Sequence, residues 1–123
     1  MFVTLFIGSL AAYALAFWKG RASKFVYLLF LSGIMIPIRL GTINIFQIVR
    51  SLGLMGSLYG LIPVYIAWGL PMAIFVLTTF IQELPRELIE VAEIDGASRL
   101  RIYYNVILPL IRPALGTVAI INL

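Results

Sequence analysis

The chain has 123 residues, a formal net charge of +4 and a mean hydropathy of +1.09, with 63% of its residues hydrophobic and 11% charged. A soluble domain is about 45–50% apolar and about 25% charged, so a water-soluble fold would display apolar surface of a kind that monomers rarely show; the composition is that of an integral membrane protein. The nine basic residues form no stripe suited to nucleic acid, and the lack of histidine and cysteine removes zinc sites and His-based acid–base or triad chemistry.

The first apolar run, Phe2 to Phe17, is closed by the basic segment 18–24. At 1.5 Å per residue it reaches roughly 25 Å, slightly short of the roughly 30 Å hydrocarbon core. Ala12 to Ala16 resembles a signal-peptidase site, yet Lys19, Arg21 and Lys24 follow the apolar run instead of preceding it. The run therefore reads as a membrane helix with a cytoplasmic C-terminal end. A second run, Phe25 to Ile38, carries Pro37 near its end, and the more polar stretch 39–57 contains a short amphipathic piece over 43–49. Gly56 and Gly60 match a GxxxG spacing, but they straddle a loop and a helix start, so a turn is expected there. The third run, Leu58 to Phe80, is long enough to span with some tilt. Pro71 inside it removes a backbone bond to the carbonyl of Ala67, and a kink is expected near Gly69.

Basic residues set the orientation. Three lie in 18–24, two in 39–57 and four in 81–113, which places the first and third of these segments inside and the second outside. The last apolar stretch, Ala114 to Leu123, reaches only roughly 15 Å. Ending there would leave a carboxylate at mid-membrane, so the sequence is expected to be a piece of a longer protein cut inside membrane helices at one or both ends. The fold class is all-α, a polytopic α-helical membrane protein. Its expected spans are about 2–17, 25–38 and 58–80, with the start of another at 114–123, all within one transmembrane domain.

All five acidic residues lie between Glu83 and Asp95. Pro85 suits a helix start, and a helix is predicted over 86–94, with Leu84, Leu88, Val91 and Ala92 as its apolar face and Glu83, Glu87, Glu90 and Ile94 on the other side. Gly96 can adopt the left-handed conformation that ends a helix. Ser98 can cap a second helix with Leu100, Tyr103, Tyr104 and Ile107 at helical spacing, ended or kinked by Leu108-Pro109. The segment reads as helix, tight turn, helix, and from these features alone it is first a solvated amphipathic loop. Glu87, Glu90 and Glu93 share a helix edge, but a di-iron site of that kind wants a Glu-x-x-His element, and no metal is expected.

The run Glu90-Val91-Ala92, then Gly96, Val106 and Leu108-Pro109, resembles the EAA loop of ABC-importer permease subunits. That pattern reads Glu-Ala-Ala, three residues, Gly, nine residues, Ile, one residue, Leu-Pro. Val91 and Val106 depart from it, and both keep an apolar side chain and leave the spacing intact. The flanks Leu84 to Leu88 and Ile94 to Ala97, together with Gly8 to Ala16 and Leu52-Gly53-Leu54, resemble the carbohydrate-importer branch, the maltose-type permeases.

The resemblance implies a six-helix permease subunit, of which this chain supplies the second, third and fourth helices, the loop 82–113 and the start of the fifth. It implies a bacterial or archaeal inner membrane and three partners: a second permease subunit, a cytoplasmic ABC ATPase dimer and an extracytoplasmic solute-binding protein. Within the loop, Glu90 would face a cleft on the ATPase, Gly96 would make the turn, and Asp95 and Ala97 would be its neighbours; Ala92, Leu108 and Pro109 complete the motif. The subunit would carry no catalytic residue and no cofactor, ATP hydrolysis falling to the partner. A sugar or oligosaccharide is the expected cargo, with glycerol phosphate, a polyamine or another small solute as alternatives. A secondary transporter would normally place ionisable residues inside its spans, and these three hold no Asp, Glu, Lys or Arg. A plain anchor would have no use for the glycine turn and its spacing.

Overall fold

In the computed structural model, which describes residues 1–123 apart from the side chain of Ile38, the apolar runs become helices arranged around one long member. The elements are α1 (Phe2–Phe17), α2 (Arg21–Met35), α3 (Thr42–Ser51), α4 (Leu61–Gln82), α5 (Arg86–Ile94), α6 (Arg99–Ile102), α7 (Leu108–Leu110) and α8 (Arg112–Ile121). No strand occurs among the described residues. Short 3₁₀ turns, Ile38–Gly41 and Leu58–Gly60, lead into α3 and α4. One helix, Leu58–Gln82, is long and apolar enough to cross a membrane by itself. The first expected span is a shorter apolar helix, and the second and the last each belong to a bent helix pair.

Each boundary has a local cause. Helix α2 stops at Met35 because Ile36 precedes a proline and is extended, with ψ near 121°. Helix α3 ends in a Schellman motif: Gly53 takes φ +68°, its N–H bonds the Arg50 carbonyl, and the Leu54 N–H bonds the Val49 carbonyl. The Gly56–Gly60 stretch is a turn followed by a helix start, as expected. Gly56 has φ +76°, and the Ser57 hydroxyl accepts from the Tyr59 N–H. Helix α4 runs unbroken through Pro71.

Helix α4 is the hub, packing on α1, α2 and α8. Its buried residues Gly69, Ala73, Ile74, Leu77, Thr78 and Ile81 form one face. Helix α1 answers with Thr4, Gly8 and Ala12, spaced four apart. This is a small-residue seam of the kind that lets membrane helices approach closely where no hydrophobic force drives them together. The fit leaves little room: a Cβ on Gly8 would lie 3.0 Å from the Ala73 Cβ, and one on Gly69 would lie 2.8 Å from the Thr4 Cγ2. Below the seam the core continues through Ile81 to Ile89, Ile102, Tyr103, Ile107, Ile111, Ala114 and Val118. It thereby joins the membrane helices to the loop 82–113.

Candidate functional site: a helix pair closed by a glycine turn

Helix α5 begins directly after Pro85, whose fixed φ suits that position. Its end is a second Schellman motif. Asp95 is the C-cap, Gly96 follows with φ +77°, the Gly96 N–H donates to the Glu93 carbonyl and the Ala97 N–H donates to the Ala92 carbonyl, both at 3.0 Å. Two carbonyls that a helix end leaves orphaned are thus satisfied, and the chain reverses within three residues. Ser98 then accepts from the Arg101 N–H and caps α6. Ala92 and Ala97 sit at the two positions that meet across such a turn, and both pack against the core. Their small size lets the two helices close on each other.

The predicted site residues divide into two groups. Ala92, Ala97 and Leu108 are partly buried against the core and hold the pair together, whereas Glu90, Asp95, Gly96 and Pro109 are exposed. Among the described residues no Lys or Arg lies within 4.0 Å of a carboxylate, so Glu87, Glu90 and Glu93 are held by no ion pair of this chain. Glu90 and Glu93 line a cleft of about 180 Å³ together with Lys19, Arg86 and Ile89, where α5 meets the ends of α1 and α4.

The helix faces differ from those expected. On α5 the inward side chain is Ile89, flanked by Leu84 and Ala92, while Val91 is 58% and Leu88 45% exposed. The outer face of α5 therefore carries Val91 and Ile94 beside Glu87 and Glu90. In the second helix, Leu100 and Tyr104 point outward, and Ile102, Tyr103 and Ile107 are buried. Tyr103 and Ile107 are thus inward as expected, and from Tyr103 to Ile107 the helix takes a π turn, in which the Leu108 N–H reaches the Tyr103 carbonyl five residues back. Pro109 supplies no N–H and crowds the carbonyl four residues before it, and widening the helix accommodates both effects. Beyond Ile111 the chain turns by 70° into α8.

Two tyrosines absent from the expected site bind the loop to the membrane helices. The hydroxyls of Tyr103 and Ser9 are 2.7 Å apart, with both residues buried, and the Tyr13 hydroxyl donates to the Arg99 carbonyl at 3.0 Å. The rings of Tyr13 and Tyr103 lie 5.5 Å apart and tilted, a favourable aromatic pairing. The sequence signal was Ser9, one of the few polar side chains in an apolar helix, and it lies 94 residues from its partner. Tyr103→Phe is expected to leave the Ser9 hydroxyl with only its local bond to the Phe6 carbonyl. The predicted cost is about 1 kcal/mol, to be read as a lowered Tm of the purified full-length protein, with no further loss on adding Ser9→Ala.

Apolar helices packed around one that is long enough to cross a membrane, with no strand among the described residues, define a polytopic α-helical membrane protein. Residues 4–123 match the family of binding-protein-dependent transport system inner membrane components, and the chain belongs to that family. It is similar to the diacetylchitobiose uptake system permease protein NgcG of Streptomyces coelicolor, 34% identical over 122 residues, which are 99% of this chain and 40% of that protein. It is also similar to the trehalose/maltose transport system permease protein MalG of Thermococcus litoralis, 38% identical over 121 residues, 96% of this chain and 42% of that protein. A third relative is the osmoprotective compounds uptake permease protein GgtD of Synechocystis, 33% identical over 118 residues, 96% and 40% respectively. The chain spans about two fifths of the length of the curated relatives it matches.

Proposed function

We propose that the chain is part of the transmembrane permease subunit of an ATP-driven ABC importer for a sugar or oligosaccharide. In this reading the loop 82–113 faces the cytoplasm, docks on a separate ATPase subunit through Glu90 and its neighbours, and hydrolyses nothing itself. A second permease subunit completes the pathway, and an extracytoplasmic binding protein delivers the solute. The observation that carries the reading is the Schellman-locked helix pair, with its unpaired carboxylates and exposed Val91 and Ile94. That mixed face suits a protein partner better than lipid or water alone. Seven of the nine basic residues lie in 18–24 and 81–113, which supports the cytoplasmic placement of both.

The mechanism follows from stiffness. A helix pair with a locked turn moves as a body. Its second helix is fastened to α1 through Tyr103 and Tyr13 and continues through Ile111 into α8. Closure of the ATPase dimer would then displace α1 and α8 together and open the permease to the other side. Cargo rests on relatives: two of the three similar permeases are named for oligosaccharide or disaccharide uptake, and the one named for osmoprotective compounds keeps another small solute as the second reading.

In the full-length protein, Glu90→Lys is expected to reduce co-purification of the ATPase while membrane insertion is unchanged. Undiminished co-purification with normal transport would refute the assignment of Glu90. A panel of labelled saccharides and osmolytes offered to the reconstituted complex decides the cargo, with uptake of a di- or oligosaccharide expected.

A further inference from the structure

The second helix of the pair is joined to the membrane helices by two routes. One follows the chain through the π turn Tyr103–Ile107, α7 and Ile111 into α8, and beyond Ile111 its direction changes by 70°. Pro109 and Pro113 both lie on this stretch, and neither has an N–H for the backbone ladder. A widened turn, two missing donors and a sharp bend make the covalent route a compliant one.

The other route is not covalent. Ser9 and Tyr13 stand four apart on one face of α1. The Ser9 hydroxyl meets the Tyr103 hydroxyl at 2.7 Å, and the Tyr13 hydroxyl donates to the Arg99 carbonyl at 3.0 Å. Ser9 and Tyr103 are both buried, so water cannot replace their bond. The Tyr13 ring is held between Phe17 and Tyr103, with centroids 4.9 Å and 5.5 Å away. A single bond would act as a pivot. Two bonds one helical turn apart, roughly 6 Å along α1, fix the angle between α1 and the second helix. Helix α1 is in turn fitted closely to α4, where a Cβ on Gly8 would lie 3.0 Å from that of Ala73, so a displacement of α1 carries α4 with it.

We infer that movement of the helix pair enters the membrane through α1, across the Ser9–Tyr103 and Tyr13–Arg99 contacts, and not along the backbone into α8. Ser9 and Tyr13 are then positioning residues for transport: neither touches solute or ATPase, and both set how the pair is aimed at the membrane helices. Helix α8 follows because it packs on α4 and α1. The inference rests on the docking reading of the loop and adds to it the contact that carries the motion.

The test is a distance across this joint in the full-length complex, measured before and after trapping the ATPase with nucleotide and vanadate. The chain has no cysteine of its own, so spin labels can be placed through Ala14→Cys on α1 and Arg101→Cys on α6, both exposed positions. In the otherwise unchanged protein the distance is expected to stay the same on trapping. In Ser9→Ala/Tyr13→Phe, which keeps the ring packing and removes both bonds, trapping is expected to shift and broaden it as the pair slips past α1. Leu110→Gly, at a partly exposed site beside the bend, loosens the covalent route and is expected to leave the distance fixed. A constant distance in the double variant, or slippage in Leu110→Gly in its place, would overturn the α1 route. The nucleotide retained by each sample reports separately on ATPase docking. Normal retention with a constant distance in the double variant sinks this inference and leaves the docking reading standing, whereas no retention by the unsubstituted complex sinks both.

Discussion

Gly96→Val in the full-length protein is expected to abolish most co-purification of the ATPase while the subunit still inserts into the membrane. The reason is conformational. A Cβ placed on Gly96 would meet no atom within 4 Å, so no clash is involved, yet φ is +77°. An L-residue held there costs about 1–2 kcal/mol, and a β-branched one lies at the upper end or beyond. The chain can escape only by giving up the bonds from the Gly96 and Ala97 amides to the Glu93 and Ala92 carbonyls. Helices α5 and α6 would then lose their fixed angle. Strain of about 2 kcal/mol corresponds to roughly a thirtyfold fall in the docking-competent population. Gly96→Asn separates this account from a general loss of stability, because asparagine tolerates the left-handed region. It is expected to keep most of the co-purification, and equal loss in both variants would argue that the turn geometry is not what matters.

Gly69→Leu is expected to have the largest effect on stability. At this point in the α1–α4 seam a Cβ would stand 2.7 Å from the Asn122 Oδ1 and 2.8 Å from the Thr4 Cγ2. Thr4 is buried and has no room to retreat, whereas the partly buried Asn122 side chain can turn away by giving up its bond to the Val118 carbonyl. Overpacking of a close-fitted interface costs about 1–3 kcal/mol. The remaining leucine atoms would force α1 and α4 apart and unseat Gly8 from Ala73. The measurement is thermal unfolding of the purified full-length protein, with a clear fall in Tm expected. Thr4→Ala in the same background should recover part of the loss, and that recovery would be absent if Gly69 were needed only for its backbone freedom.

These two glycines mark the division between what was legible in the sequence and what was not. The role of Gly96 could be read locally. An amphipathic run before it, a serine cap two residues after it and the spacing to Pro109 all belong to neighbouring positions, and helix ends are decided by such neighbours. The role of Gly69 could not. Its neighbour Pro71 points to a kink, whereas the tertiary structure gives Gly69 a packing role, with a Cβ there 2.8 Å from the Thr4 Cγ2 of α1. Small residues four apart in α1 and α4 were visible all along, but nothing in either helix says which other helix it faces. The one GxxxG spacing that stood out, Gly56 to Gly60, is a turn.

The inward faces of α5 and α6 show the same limit at a finer scale. Helix α5 carries apolar side chains on several sides, and periodicity put Leu88 and Val91 inward when Ile89 is the one that reaches the core. In the second helix the same count finds Tyr103 and Ile107 but also puts Leu100 and Tyr104 inward, where Ile102 is the residue that is buried.

By itself, then, the sequence determined the membrane class, the helical fold, the position of the helix pair after α4 and the glycine that closes it. Composition and local hydrogen bonding decide those properties. Only the tertiary structure decided that α1 and α4 meet through glycine and alanine, that Ser9 and Tyr103 bond across 94 residues, and which side of the helix pair is buried against the core. Those outcomes depend on long-range packing, which is not written in the order of adjacent residues.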